Sequence, residues 1–81
     1  MNIKAIILKK LFRRRVIGGK HTAFEYIMAG IPGHLAGDAK KAAEELIKEG
    51  LILTKHTSYG LQISLNPERI DEIVRIIEQQ Q

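Results

Sequence analysis

The stretch GDAKKAAEELIKEG (37–50), continued by LILTKHTSYGLQISL (51–65), decides the fold of this chain. From Ala39 to Ile47 the apolar residues recur at the spacing of one helix face. Gly50 stands where a left-handed residue ends a helix. Two apolar segments follow, separated by a polar turn, and the second alternates apolar and polar residues like a strand with one wet face. The stretch therefore predicts a helix followed by a β-hairpin.

Two further helices are predicted before this stretch. The first covers about residues 2–14, since its isoleucines and leucines fill one broad arc and its basic residues fill the other. The second covers about 23–29, because Thr22 and Glu25 have the spacing of a capping box and Pro32 prevents its continuation. So short a helix must be held by tertiary contacts.

The other two helices are placed by their capping residues. Asp38 is a good N-cap for the third helix, about 38–49, although that helix can also begin near His34. Asn66 and Pro67 provide an N-cap and a first helical residue for the last helix, about 67–79. The hairpin between them, about 51–65, cannot be stable alone in water, so its apolar face must lie on the helices.

Size and charge limit what this chain can be. Its 81 residues make one domain, 1–81, with no cysteine to stabilise it. No apolar run is long enough to span a bilayer and no secretory signal is recognised, so we expect a cytoplasmic protein without a membrane partner. The first 24 residues contain seven cations and no acid. Such a concentrated positive field suggests a polyanionic partner, usually nucleic acid.

The predicted order is α-α-α-β-β-α, with LIKEGLI (46–52) at the corner between helix and strand and a short hairpin after it. This pattern resembles the winged helix-turn-helix superfamily, particularly its small archaeal and bacterial members with a terminal helix after the wing. The resemblance implies an α+β, mainly α, fold that binds duplex DNA, typically as a transcriptional regulator. It also implies that the third helix enters the major groove, the second helix points its N-terminus at the backbone, and the wing flanks the groove.

The candidate nucleic-acid-binding residues follow from that resemblance and from charge. Backbone N–H groups and a lysine at the start of the second helix form a natural anion site, and cations and hydroxyls at a hairpin tip suit phosphate contact. The candidates are Lys20, His21 and Thr22; His34, Lys40, Lys41 and Lys48 with the third helix; Lys55, His56, Thr57, Ser58 and Tyr59 in the wing; and Arg13, Arg14 and Arg15 after the first helix.

Several alternatives stay open at this stage. The third helix offers no Arg, Asn or Gln for bidentate base contacts, and its lysines have glutamates four residues away, as on an ordinary solvated helix. The expected pairs are Lys40 with Glu44, Lys41 with Glu45, and Glu44 with Lys48. A protein-interaction or RNA-associated winged-helix module is therefore the alternative. Tyr59 either stacks on an unpaired base or packs across the hairpin.

A homodimer is expected, because one such unit reads only half of a palindromic site. Ile6 and Ile76 lie off the main apolar stripes of the terminal helices and are the candidate dimer contacts. An enzyme is not expected: no catalytic constellation, cofactor motif or metal spacing is found, and the three histidines are interpreted as polar turn residues.

Overall fold

The computed structural model describes residues 2–79. Within them the chain folds into a compact α+β domain, mainly helical, with one three-stranded antiparallel sheet, which agrees with the predicted class. Residues 1, 80 and 81, which the single-domain prediction includes, lie outside this range. The elements are α1 (Ile3–Arg13), β1 (Thr22–Ala23), a first 3₁₀ helix (Phe24–Met28), a second (Gly33–Leu35), α2 (Ala36–Lys48), β2 (Ile52–Thr57), β3 (Gly60–Leu65), a third 3₁₀ helix (Pro67–Arg69) and α3 (Ile70–Glu78).

The sheet has the order β1-β3-β2, so the predicted hairpin gains a third strand on its β3 side. In the hairpin Lys55 lies opposite Gln62, and Gln62 in turn lies opposite Ala23 of β1. The turn between β2 and β3 consists of Ser58 and Tyr59, tighter than the polar segment predicted from sequence. The hairpin prediction is confirmed, and the short strand before the second helical segment was missed.

The core lies between the three α-helices and the inner face of the sheet. The apolar arcs predicted for the first and third helices are buried as expected, because each helix has one side without charge. The largest fully buried apolar side chains are Ile7, Leu8, Leu11, Ile27, Leu46, Leu51, Ile52, Ile63, Leu65 and Ile73. Because every α-helix and both hairpin strands contribute to this list, the helices depend on tertiary packing for their stability.

The second helical segment differs from its prediction. Phe24–Met28 is a 3₁₀ helix of five residues instead of an α-helix over 23–29, so the order α-α-α-β-β-α is wrong at its second element. Thr22 forms no capping box, because its backbone pairs with Ile63 in the sheet and no side chain caps the helix start at Ala23. Strand pairing has overridden a purely local signal here.

The starts of the later helices are partly as predicted. α2 begins at Ala36 after the second 3₁₀ helix, so Asp38 lies in its first turn and is not the N-cap. The alternative start, near His34, is closer to what the structure shows. The Asn66 cap is confirmed, since its Oδ1 accepts a hydrogen bond of 3.0 Å from the backbone N–H of Glu68. One 3₁₀ turn from Pro67 precedes α3.

Two helix ends fix the path of the chain into the sheet. Gly50 has φ 81° and ends α2 in the left-handed conformation that the sequence predicted. Arg15 has φ 54° and ends α1 in the same manner, which nothing in the sequence signals. Beyond Arg15 the chain runs beside β3, with a parallel bridge between Ile17 and Leu65. No helix within residues 2–79 is long and apolar enough to cross a membrane.

Candidate nucleic-acid interface

The basic side of α1 faces the first 3₁₀ helix. Lys10 and Arg14 lie one turn apart on α1 and its C-cap, and both side chains reach the ring of Tyr26. The Nζ atom of Lys10 lies 4.6 Å from the ring centroid, and Cζ of Arg14 lies 5.4 Å from it. Lys10 Nζ also donates a hydrogen bond to the carbonyl oxygen of Ala29. The aromatic ring therefore holds two cations at distances typical of cation–π interactions.

Two adjoining clefts run along this contact, and we call them together the Tyr26 groove. The larger has a volume of about 400 Å³ and the smaller about 220 Å³, and Arg14 and Tyr26 line both. The remaining lining residues are Ile6, Lys9, Lys10 and Arg13 in the larger cleft and Val16, Lys20, His21 and Thr22 in the smaller. No carboxylate lines either cleft, so the groove concentrates positive charge without internal neutralisation.

A tight turn brings the predicted Lys20 group to this groove. The backbone N–H of Lys20 donates to the carbonyl of Ile17 at 3.2 Å, and Gly18 in the middle of the turn has φ 61°. The turn reverses the chain, so that His21 and Thr22 return beside Arg14. The predicted anion site at a helix start loses its basis, because Thr22 is a strand residue and the following 3₁₀ helix is short. The side chains of the group still converge with the arginines.

One part of the polar face of α2 lines a cleft beside α1, and the rest faces solvent. Lys41 lines a separate cleft of about 510 Å³ beside the start of α1, together with Asp38 and Glu45. The charged residues Lys40, Glu44 and Lys48 are exposed, as is His34 before the helix. Positive charge on α2 is therefore interleaved with carboxylates, in contrast to the Tyr26 groove.

The ion pairs expected along α2 do not form. Within residues 2–79 the only ion pairs involve Lys4 and Arg69. Lys4 of α1 reaches Glu45 at 3.1 Å and Glu49 at 3.3 Å, so a contact between helices replaces the predicted pairs within one helix. Hydrogen bonding to Glu45, and then to Glu49, raises the pKa of Lys4 above its ordinary value.

Two hydrogen bonds close the hairpin tip, which presents its aromatic residue to solvent. The hydroxyl of Thr57 donates to the carbonyl of Gly60 at 2.9 Å and accepts from the backbone N–H of Tyr59 at 3.2 Å. The Tyr59 residue is 94% exposed, so the interpretation in which it packs across the hairpin is wrong. Lys55, His56 and Ser58 are exposed nearby.

The sheet register places the hairpin tip away from Lys20. Thr22 lies opposite Ile63, three residues along β3 from Gly60, which is roughly 10 Å of strand. Because β1 runs antiparallel to β3, the chain from Thr22 back to Lys20 extends towards the opposite end of β3. The structure thus brings the α1 arginines and the Lys20 group together, while the wing residues form a second surface.

The two candidate dimer residues have different surroundings. Ile6 is 38% exposed and lines the Tyr26 groove. Ile76 is half-buried and packs against the core, so it does not stand off the apolar stripe of α3 as predicted. Arg13 and Arg15 are exposed at the end of α1.

Sequence reasoning missed Tyr26, Lys9 and Lys10 as parts of one site. Lys9 and Lys10 are predicted on the basic arc of the first helix and within its positive field, but not as binding residues, although their spacing with Arg13 and Arg14 places four cations together. Tyr26 lies off the main apolar positions of its segment, which is the signal that it had another role. Among the described residues no three His, Cys, Asp or Glu side chains cluster as metal ligands would.

The sequence matches no protein-family model, and no curated protein or solved structure shows significant similarity to the chain.

Proposed function

We propose that this chain is a DNA-binding protein of the winged helix-turn-helix type that acts as a transcriptional regulator by docking on duplex DNA. The proposal is supported by a helical segment, a turn and α2 that lead directly into a hairpin with a polar tip. It assigns duplex contact to α2, to the Lys20 group and to the wing. A cytoplasmic homodimer belongs to the same proposal.

The observation that carries the proposal is the segregation of charge. No carboxylate lines the Tyr26 groove, and none of the cations that line it forms an ion pair within residues 2–79. Holding unneutralised cations together costs free energy that a polyanion recovers on binding. Phosphate contacts of this kind release counterions, so affinity falls steeply with salt, by about 0.9 in log K per log unit of salt for each phosphate.

The proposed function is tested by titrating the protein against a labelled generic duplex and a single-stranded RNA of equal length, each at two salt concentrations. We expect duplex binding that weakens with salt, and a smaller salt dependence in Lys20→Ala and Lys55→Ala. Arg75→Ala is the matched control, because Arg75 is an exposed cation on α3 outside the proposed interface. Absence of duplex binding at low salt would overturn the proposal.

The second candidate is an RNA-associated module, and the exposure of Tyr59 favours it. An exposed aromatic ring on a hydrogen-bonded turn, with Lys55 in the preceding strand, is suited to stacking on an unpaired base. Tighter binding of the single strand than of the duplex, lost in Tyr59→Ser, would select this candidate. If the protein binds neither, the interleaved charges of α2 support a protein partner instead.

A further inference from the structure

We infer that the Tyr26 groove is a preorganised phosphate-binding site, in which the aromatic ring holds Lys10 and Arg14 in place to bind a phosphodiester group. The inference rests on the proposed function for the identity of its ligand. It adds a site that lies between α1 and the first 3₁₀ helix, separate from the wing and from the exposed face of α2.

The first argument is the donor capacity that remains in the groove. An ammonium group has three N–H donors and a guanidinium has five. Lys10 uses one donor on the Ala29 carbonyl, and within residues 2–79 the guanidinium of Arg14 has no hydrogen-bond partner. Both cations line the same cleft of about 400 Å³. A phosphate there meets several unused donors that converge from α1.

The second argument is preorganisation. A long basic side chain on a surface helix normally loses rotamer freedom when it binds, which reduces affinity. Contact with the Tyr26 ring restricts Lys10 and Arg14 before a ligand arrives. Tyr26 is itself packed on the core, so the ring is a fixed support. We therefore assign Tyr26 as a positioning residue and the two cations as the phosphate contacts.

The third argument is the continuity of the groove. Arg14 and Tyr26 join the larger cleft to the smaller one, where Lys20 and His21 lie. A single phosphate fills only part of this space. The cations of the two adjoining clefts can instead contact more than one phosphate of a strand.

The test compares salt dependence in variants that remove one charge each. Duplex affinity is measured over a range of salt for Lys10→Gln, Arg14→Gln and the control Arg75→Gln, which changes net charge equally on another element. We expect the slope of log K against log salt to fall by about 1 for each groove variant and to stay unchanged in the control. Equal slopes in all three variants would overturn the groove while leaving the proposed function standing.

Tyr26 is tested by conservative replacement. Tyr26→Phe keeps the aromatic ring, whereas Tyr26→Leu keeps an apolar side chain without a ring. The urea midpoints of both variants are measured, so that their affinities are compared at known stability. We expect Tyr26→Phe to bind like the original protein and Tyr26→Leu to lose affinity by about threefold or more, the scale of one exposed cation–π contact. Equal affinity of the two variants at equal stability would remove the positioning role.

A titration with inorganic pyrophosphate tests the phosphate site independently of duplex binding. Tyr59→Phe leaves Tyr26 as the sole tyrosine, so its ring signals in NMR report on the groove alone. If no duplex is bound, a saturable shift of these signals with pyrophosphate, reduced in Arg14→Gln, still supports a phosphate site for another ligand. Absence of a shift in that experiment overturns the site.

Discussion

The C-terminal ends of α1 and α2 have the same pattern of backbone hydrogen bonds but different residues at the position that adopts the left-handed conformation. At the end of α1, Arg15 donates to the Phe12 carbonyl and Val16 to the Leu11 carbonyl, each at 3.0 Å. At the end of α2 the corresponding bonds run from Gly50 to Ile47 at 3.1 Å and from Leu51 to Leu46 at 3.0 Å. Both are Schellman motifs.

The difference lies in the left-handed residue, which is arginine in one motif and glycine in the other. A side chain in that conformation costs about 1–2 kcal/mol, whereas glycine adopts it freely. What the two ends share is a buried apolar residue after the turn, Val16 and Leu51. Burial of this residue and the two hydrogen bonds are therefore sufficient to impose the turn, and glycine makes it less costly.

The surroundings of the two ends also differ. Side chains bind the carbonyl groups at the end of α2: Asn66 donates its side-chain N–H to the Gly50 carbonyl at 2.9 Å, and Arg69 donates to the Glu49 carbonyl at 3.3 Å. The end of α1 instead exposes Arg13, Arg14 and Arg15. We interpret the α2 end as a structural corner, whereas the α1 end belongs to the proposed binding surface. This comparison also orders the expected effects of substitution.

The largest effect is expected at the buried residue of the α2 corner. Leu51→Ala removes a side chain that is 1% exposed, and the cavity left behind should lower the free energy of unfolding by about 2–5 kcal/mol. Val16→Ala, at the matching position of α1, removes fewer carbon atoms and should cost less. Urea denaturation of both variants measures the difference. A Val16→Ala loss as large as that of Leu51→Ala would show that the two corners are equally important for stability.

The next effect concerns glycine at the α2 corner. Gly50→Ala places a Cβ atom in the left-handed conformation, which should reduce the free energy of unfolding by about 1–2 kcal/mol. The new Cβ would lie 3.4 Å from Nη1 of Arg69, the movable end of a side chain, so the loss comes from the backbone. Urea denaturation of Gly50→Ala in an Arg69→Ala background distinguishes the two causes. An unchanged loss of unfolding free energy supports backbone strain, and a smaller loss indicates a clash with Arg69.

Arg15→Gly is expected to have the opposite sign. Glycine relieves the left-handed strain at the α1 end but increases the entropy of the unfolded chain, so the net gain should be about 0.5–1 kcal/mol. Arg15→Ala is the matched control, because it removes the same charge and keeps the strain. A gain in urea stability for glycine alone supports the interpretation. If both variants gain equally, repulsion among the three arginines is the cause.

The contrast between the two helix ends shows which parts of the fold can be predicted from the sequence. Gly50 marks a helix end by its residue type, so the α2 corner and the hairpin after it were predicted. Arg15 adopts the same conformation under tertiary constraint, and no local pattern reveals it. The same reason explains the failed capping box, since Thr22 is engaged by Ile63, which lies far along the chain. Predictions from local patterns were wrong where residues distant along the chain determine the backbone conformation.

The candidate site shows the same limit. Charge counting predicted a basic surface near α1 and the Lys20 group, and the structure places those residues together. It did not predict that Tyr26 lies between them, because the turn at Gly18 and the 3₁₀ geometry of the next segment determine where that ring points. Lys4 was counted with the free cations, although its contact with α2 removes it from them. Which cations are neutralised depends on helix packing.

The smallest effect is expected at Lys4, the cation of α1 that stabilises the α2 end. Exposed ion pairs contribute about 0.2–1 kcal/mol, so Lys4→Met should lower the free energy of unfolding by no more than that near neutral pH. The pKa of Lys4 is raised in the folded protein, chiefly by its hydrogen bond to Glu45, above the ordinary value of 10.5. Its contribution is therefore complete below pH 10.5 and is lost as the pH rises through the folded value.

The Lys4 prediction is checked by urea denaturation of the original protein and Lys4→Met at about pH 8 and about pH 11, where the difference between the two should shrink at the higher pH. A background that carries Glu45→Gln and Glu49→Gln closes a mutant cycle, and in it Lys4→Met should have no cost at either pH. Because methionine retains most of the apolar stem of lysine, a cost that persists in this background would mean that the Lys4 ammonium group stabilises the protein through a partner other than Glu45 and Glu49.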